Sequence, residues 1–246
     1  MKKLSFKHTA HWLIFTLANV LILFTACSKD SDSDNPAKDP YEGFPTEPVI
    51  KQGEKNYISL YSKKQVGEEI TIGLQGKKGV WVDLNNNGKQ DGDDSLDPVL
   101  NSGNNDYYLK SQVFTVYGEL TYFRSNNNSS LKAINLSHAP DLTHLHLNDN
   151  ELTQLDLSKN TALTFVELYY NNFTAQEMLA MAKSLHAKKG GKNITLQSVK
   201  GGKTDNNKVD RAVLDELDKK GWTARYYDKK GNSQPYNKNP NAPNKP

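Results

Sequence analysis

The chain lacks the residues that covalent cross-linking and several common kinds of catalysis require. It has one cysteine, Cys27, among 246 residues, so an intramolecular disulfide bond is excluded. It contains no G-x-S-x-G motif, no H-E-x-x-H motif and no glycine-rich phosphate loop. No catalytic constellation emerges from the remaining residues, and we therefore expect a protein that is not an enzyme.

The chain also lacks a hydrophobic run of the length that a membrane span needs. Its one long apolar run, Trp12–Phe24, lies near the N terminus and follows Lys2, Lys3 and Lys7 with no acidic residue. A basic region followed by a short apolar run and small residues is typical of a secretory signal peptide. We predict a signal peptide over residues 1–26, with a retained signal anchor as the alternative.

Cys27 directly follows this run. Phe24-Thr25-Ala26-Cys27 resembles the lipobox of bacterial lipoproteins, in which the cysteine is lipidated and becomes the first residue of the mature protein. Residues 27–46 are polar and acidic, which predicts a flexible tether. The run from Ser28 to Asp34 is similar to the acidic export signal of Bacteroidota surface lipoproteins, or is a plain solvated linker. The resemblance implies an exported outer-membrane lipoprotein, exposed on the cell surface and anchored through Cys27.

The mature chain has no excess of positive charge. The whole chain has 31 basic and 28 acidic residues, and residues 1–26 contain three lysines and no acid, so 28 of each sign remain after their removal. Nucleic-acid-binding domains usually carry a net basic surface. We therefore expect no nucleic-acid partner.

The segment 47–118 has the pattern of short strands. Apolar residues alternate or form short runs at 57–61, 70–74, 80–82 and 113–117, and turns rich in glycine and asparagine separate these runs. We predict a small antiparallel β module that covers one end of the following segment. At the other end of the chain, residues 231–246 are rich in Asn, Pro and Lys, which predicts a disordered tail.

The segment 119–230 contains a sequence repeat. The pattern L-x-x-L-x-L-x-x-N-x-L begins at Leu142 and returns 21 residues later at Leu163, and an incomplete copy begins 22 residues earlier at Leu120. This is the leucine-rich-repeat signature, whose coils stack because one coil cannot bury its apolar side alone. Helical patterns near 174–185 and 209–217 predict two further coils. The predicted fold class is α+β: a short leucine-rich-repeat solenoid with a small N-terminal antiparallel β module and helical C-terminal coils.

The chain is similar to the internalin-like leucine-rich-repeat surface lipoproteins of Bacteroidota. Besides the repeats, the similarity rests on the segments 66–83, 116–118, 155–160 and 220–222. The resemblance implies binding to proteins or surfaces, as in adhesion or host interaction, and it specifies no ligand.

The residues between the repeated leucines form the predicted binding surface. Positions 1, 4 and 6 of each copy are expected to face the core, so positions 3, 5 and 7 face solvent on strands about 4.8 Å apart. Aromatic residues and arginine are enriched in binding hot spots, which favours an unknown protein partner from a host or a bacterial surface. The alternatives are cross-strand pairs that only stabilise the sheet, and a glycan-binding accessory of a nutrient-uptake system. The predicted partner-binding residues are Tyr122, Arg124, His144, His146, Phe165, Glu167 and Tyr169; Asn126 and Asn148 complete position 7.

The asparagine position of the repeat has a predicted structural role. In leucine-rich repeats this amide bonds backbone groups of the turn, and amides of successive copies form a ladder. The residues at this position are Asn128, Asn150 and Asn171.

One acidic loop has the spacing of a calcium-binding loop. Oxygen-bearing residues occupy positions 1, 3, 5, 9 and 12 of an EF-hand pattern that starts at Asp83, and Gly88 occupies position 6. The alternative is a hairpin turn that needs no metal, because position 12 is Asp94 and not the usual Glu. His144 and His146 with Glu167 are a weaker candidate for zinc. The predicted calcium ligands are Asp83, Asn85, Asn87, Asp91 and Asp94.

Overall fold

The alternating apolar residues of the first half of the chain form antiparallel strands. The computed structural model describes residues 42–92, 94, 103–126, 130–187 and 190–236. Each of the four apolar runs that predict a strand overlaps a strand of the structure. One strand in this half has no apolar alternation in its sequence and was not predicted. The strands are β1 (Tyr57–Ser62), β2 (Glu69–Gly76), β3 (Trp81–Asp83), the unpredicted β4 (Asn104–Tyr108) and β5 (Val113–Tyr117).

The three copies of the sequence repeat each begin with a short strand. These strands are β6 (Leu120–Arg124), β8 (His144–His146) and β9 (Phe165–Glu167), and β7 (Leu131–His138) follows β6. The remaining elements are α1 (Ala175–Ser184), β10 (Lys192–Ser198), a 3-10 turn (Lys200–Gly202), α2 (Arg211–Lys219), β11 (Trp222–Tyr227) and β12 (Ser233–Pro235).

These strands form two sheets that share one hydrophobic core. The smaller sheet has the order β3-β5-β1-β7, and the larger has the order β12-β11-β10-β9-β8-β6-β2-β4. Parallel pairing joins five strands in the order β6, β8, β9, β10 and β11. All the other described pairs are antiparallel. The buried cluster includes Ile58 and Phe114 of the smaller sheet and Phe123, Leu145 and Val166 of the larger. Both sheets therefore contain strands from the segments before and after residue 118.

The predicted fold class is wrong. The described residues form twelve strands in two sheets with only two short helices, and not an α+β leucine-rich-repeat solenoid closed by helical coils. The local pattern places a strand at the start of each copy, but it does not specify that β6 also pairs with the antiparallel strand β2. After the first copy the chain forms the eight-residue strand β7, which pairs with β1. The C-terminal segment contributes three strands beside its two helices, so the result is mostly β-sheet.

Local capping explains where the two helices begin. The Thr174 hydroxyl accepts a hydrogen bond from the backbone N–H of Glu177 at 3.2 Å, as the sequence pattern predicts for an N-cap residue. Asp210 caps α2 in the same way, accepting from the N–H of Val213 at 3.0 Å. The two helices pack against each other, and α2 also contacts β11.

Buried asparagine side chains bond the backbone of successive copies. The Asn150 amide donates to the carbonyl oxygens of Ser125 and Leu147, and its oxygen accepts from the N–H of Leu131. Asn171 makes the corresponding three bonds one copy later. Asn207 continues the series, although no repeat pattern marks it in the sequence. The predicted third member, Asn128, lies outside the described residues.

The described parts of the predicted tether and tail make contacts with the rest of the chain. In the predicted tether, the Glu42 carbonyl accepts a hydrogen bond from Gln154 at 3.0 Å, so this end of the tether contacts the sheets. In the predicted tail, Ser233–Pro235 pair with β11 and the Tyr236 ring is buried. Residues 1–41 and 237–246, with Cys27 among them, lie outside the described residues. Within the residues that are described, none of the helices has the length and apolar character of a membrane span.

Candidate functional site

The parallel pairing of β6, β8 and β9 brings the predicted binding residues together in two rows. In one row Tyr122 pairs with His144, and His144 pairs with Phe165. In the other, Arg124 pairs with His146, which pairs with Glu167. The rows form because the sequence repeats after 22 and then 21 residues, which is the chain length from one strand to the next. With Tyr169, which follows β9, these seven residues make up what we call the recognition face.

The rings of the recognition face are in contact with one another. The Tyr122 and His146 centroids are 5.2 Å apart, and the His146 and Phe165 centroids are 5.1 Å apart. His144 stacks on Phe165 at 5.9 Å and lies 6.3 Å from Tyr122. Aromatic pairs at such separations attract each other beyond the area that they bury. The four rings therefore form one continuous surface.

The members of this surface differ in exposure. Tyr122 is only 8% exposed and Glu167 only 7%, because neighbouring side chains of the face cover them, whereas His144 is exposed and Phe165 half-buried. The expectation that position 7 faces solvent is wrong for Asn148, which is 1% exposed. A partner would therefore contact the histidine and phenylalanine rings most directly, while Tyr122 supports them from below.

Glu167 joins two parts of the face through its carboxylate. One oxygen lies 2.7 Å from Nδ1 of His146, and the other accepts a hydrogen bond from the hydroxyl of Tyr227 at 2.9 Å. Burial, followed by the negative charge of Glu167 and the hydrogen bond to it, raises the pKa of Tyr227 to about 12. Glu167 is thus held in one orientation by two partners from different strands.

Sequence reasoning missed two tyrosines that extend the face. Tyr169 makes edge-on ring contacts with Tyr170 and Tyr227, each at 5.3 Å. Tyr227 comes from β11, three strands away from β8, so no local pattern links it to the repeats. The ammonium of Lys203 lies 4.1 Å from the Tyr170 ring and also pairs with Asp149. A second aromatic group, formed by Tyr169, Tyr170 and Tyr227, therefore extends to β11 and is joined to the first through Glu167.

The ionisable groups on β6 and β8, at the end of the face away from β11, have distinct surroundings. The guanidinium carbon of Arg124 lies 5.5 Å from the Tyr122 ring centroid, a distance typical of a cation–π contact. Burial raises the pKa of Tyr122 even though the positive charge of Arg124 opposes the rise. Burial, with the neighbouring His146, lowers the pKa of His144, whose Nδ1 lies 2.9 Å from the Thr143 hydroxyl. Both shifts follow from packing the rings side by side.

In the predicted calcium loop, the carboxylates mostly accept backbone hydrogen bonds. The two oxygens of Asp83 accept from the N–H groups of Asn87 and Gly88 at 3.1 and 2.8 Å, and burial raises the pKa of Asp83. Asp94 accepts from the N–H groups of Leu84 and Asp91. The Asn85 oxygen likewise accepts from Asn87. These bonds are those of a polar turn, in which side chains satisfy the backbone.

Neither metal candidate has the geometry of a metal centre. Among the residues with a described position, no group of three or more His, Cys, Asp or Glu side chains could hold a metal ion. His146 and Glu167 bond to each other, as described above, and His144 bonds to a hydroxyl.

Comparisons with known proteins identify no relative of this chain. No family model, no curated protein and no solved structure matches the chain.

Proposed function

We propose that this protein is a lipid-anchored cell-surface binding protein whose recognition face engages another protein. The observation that carries the proposal is the continuous ring surface over Tyr122, His144, His146 and Phe165, partly exposed and rigidly packed. Rigid aromatic side chains lose little conformational entropy on binding and are enriched in hot spots. Such a surface suits adhesion or host interaction.

The extent of the aromatic surface supports a protein partner. Three parallel strands about 4.8 Å apart span roughly 10 Å, whereas the five strands from β6 to β11 span roughly 19 Å. A typical interface buries about 800 Å² on each partner. The tyrosines at 169, 170 and 227 therefore bring the aromatic surface closer to that size.

The location at the cell surface rests on the N-terminal sequence. Three lysines, a short apolar run and the lipobox-like Phe24–Cys27 support export and lipidation, with the acidic residues after Cys27 favouring surface exposure. More than one acyl chain on the cysteine would make the anchoring stable.

The proposal is tested by capture of surface proteins on the immobilised full chain. We expect a saturable partner whose affinity falls at least about 30-fold in Phe165→Ala, the loss typical of a hot-spot residue. The matched control is Tyr108→Ala, because Tyr108 is an exposed aromatic residue on the edge strand β4 of the same sheet. A partner that binds Phe165→Ala, His144→Ala and wild type equally would refute the assignment of this face.

A glycan array probed with the same variants examines the other class of ligand. Saturable binding of a sugar that Phe165→Ala abolishes, without any protein partner, would replace the protein-binding proposal by glycan binding.

A further inference from the structure

Arg124 is a cation of the recognition face without a counter-charge. It forms no ion pair with any residue that has a described position, and its Nε is buried without a hydrogen-bond partner there. The Tyr122 ring beside it attracts the guanidinium but does not neutralise it. A buried or half-buried cation without a partner is costly, and the cost is relieved when an anion binds.

Several other charged groups of this side of the sheet have polar partners. Glu167 bonds to His146 and Tyr227, and Lys203 pairs with Asp149 at 2.7 Å. Arg225, which lies in the same row as Arg124, donates to the hydroxyl and the carbonyl of Ser233. Arg225 thus has acceptors for its guanidinium, whereas the buried Nε of Arg124 has none among the described residues, so Arg124 is the arginine of this row that can gain a hydrogen bond from an incoming anion.

The pairing partner of Arg124 on β2 is Gly73, which also pairs with Asn104 of β4. A Cβ atom at position 73 would lie 3.3 Å from the Cβ of Arg124 and 3.1 Å from Oδ1 of Asn104. The backbone of Gly73 does not need glycine, since its φ is not positive. The same Cβ atom would lie 3.1 Å from the carbonyl oxygen of Gly103, so neighbouring groups already fill the space above Gly73. The missing side chain lets Arg124 and Asn104 pack close to this strand.

We propose that the recognition face binds a protein segment carrying an aspartate or glutamate, whose carboxylate docks on Arg124. The remainder of the segment lies over the rings of His144 and Phe165. This inference rests on the proposed function and adds the chemistry of the partner. A guanidinium and a carboxylate match in geometry and form two parallel hydrogen bonds. A single carboxylate matches the one charge of Arg124, whereas a phosphate carries up to two charges.

The test measures binding of the full chain to arrayed peptide pairs that differ only by Glu to Gln or Asp to Asn. We expect acidic peptides to bind and their amide partners to bind about 10- to 100-fold more weakly. Arg124→Gln should erase this difference. Arg225→Gln is the matched control, because it removes the same charge from the same row and should preserve the preference. Binding should also weaken as salt rises.

The outcomes separate this inference from the proposed function. If Phe165→Ala abolishes peptide binding while Arg124→Gln leaves the acidic preference unchanged, the face binds partners but the carboxylate site is refuted. If no bound peptide responds to Phe165→Ala or His144→Ala, both proposals fail. Binding of acidic glycans in a parallel array, without acidic peptides, would overturn the protein segment as the source of the carboxylate. Circular dichroism of each variant identifies any loss due to misfolding.

Discussion

Asn171 offers a sharp test of how buried amides hold the parallel strands together. Its side chain is 1% exposed and spans two copies of the repeat. The amide nitrogen donates to the carbonyl oxygens of Leu147 and Leu168 at 2.8 and 2.9 Å, and the oxygen accepts from the N–H of Leu152 at 2.9 Å. Replacement of Asn171 by alanine removes all three bonds and leaves three buried backbone groups without this partner.

The expected loss of stability follows from these three bonds. A buried hydrogen bond contributes about 1 kcal/mol net, and a group left unsatisfied costs about 1–3 kcal/mol. Asn171→Ala should therefore lower the free energy of unfolding by about 3 kcal/mol or more. This is a large share of the total for a single domain, which is typically about 5–15 kcal/mol.

Urea unfolding followed by tryptophan fluorescence measures this loss, since Trp81 and Trp222 are both buried. With a denaturant slope of about 2–3 kcal/mol per molar urea, the midpoint should fall by about 1–1.5 M. The control is Asn172→Ala, because Asn172 is the half-buried neighbour and accepts from Asn206 at the surface. Equal midpoints for the Asn171 and Asn172 variants would refute the role assigned to the buried amide.

A change of Asn171 to aspartate refines the same test. Aspartate keeps the shape but turns two donated bonds into contacts between oxygen atoms, so Asn171→Asp should be less stable than Asn171→Ala at neutral pH. Burial would raise the pKa of this aspartate above its unfolded value, so the folded state binds more protons. Its stability should therefore recover as the pH falls towards 4, and a midpoint independent of pH would contradict this account.

Three further predictions concern other parts of the molecule. Because the pKa of Tyr227 rises to about 12 on folding, the free energy of unfolding should fall as the pH rises from 10 towards 12. In urea unfolding at several pH values, Tyr227→Phe should show a smaller fall than wild type, and an identical dependence on pH would refute the effect. Asp83→Ala removes the acceptor of two backbone N–H groups and should lower the free energy of unfolding by about 2 kcal/mol with or without calcium. If calcium instead raises the melting temperature of wild type and not of this variant, the loop is a metal site. Cys27→Ala should release or misprocess the protein in cell fractionation if lipidation anchors it; normal processing with full membrane retention would argue against the lipobox.

The sequence predicts the local pieces of this fold better than their assembly. Apolar alternation locates β1, β2, β3 and β5, and the repeat locates β8 and β9, because these patterns reflect which side chains face the core. Neither pattern predicts that Gly73 pairs with Arg124, since that contact depends on the path of the chain over 50 residues. The fold class was wrong for this reason.

The same distinction applies to the recognition face. The spacing of the copies is enough to place Tyr122, His144 and Phe165 side by side, because one repeat equals one step across the sheet. The hydroxyl of Tyr227 reaches Glu167 from 60 residues further along the chain, where no repeat relates the two positions. Asn207 was missed because it lies 36 residues after Asn171, outside the period of 21 or 22.

The position of β1 has a consequence for the order of folding. This strand is the first of the described strands, yet it lies between β5 and β7, so Tyr57 finds its partners only when Tyr117 and His138 are available. Pairings over such long separations close slowly, because the loop entropy is lost before the contacts form. The nascent chain therefore cannot complete its smaller sheet until residue 138 has been synthesised. A fragment that begins at residue 119 would lack β1 and β2, leave the edges of β6 and β7 unpaired, and tend to aggregate.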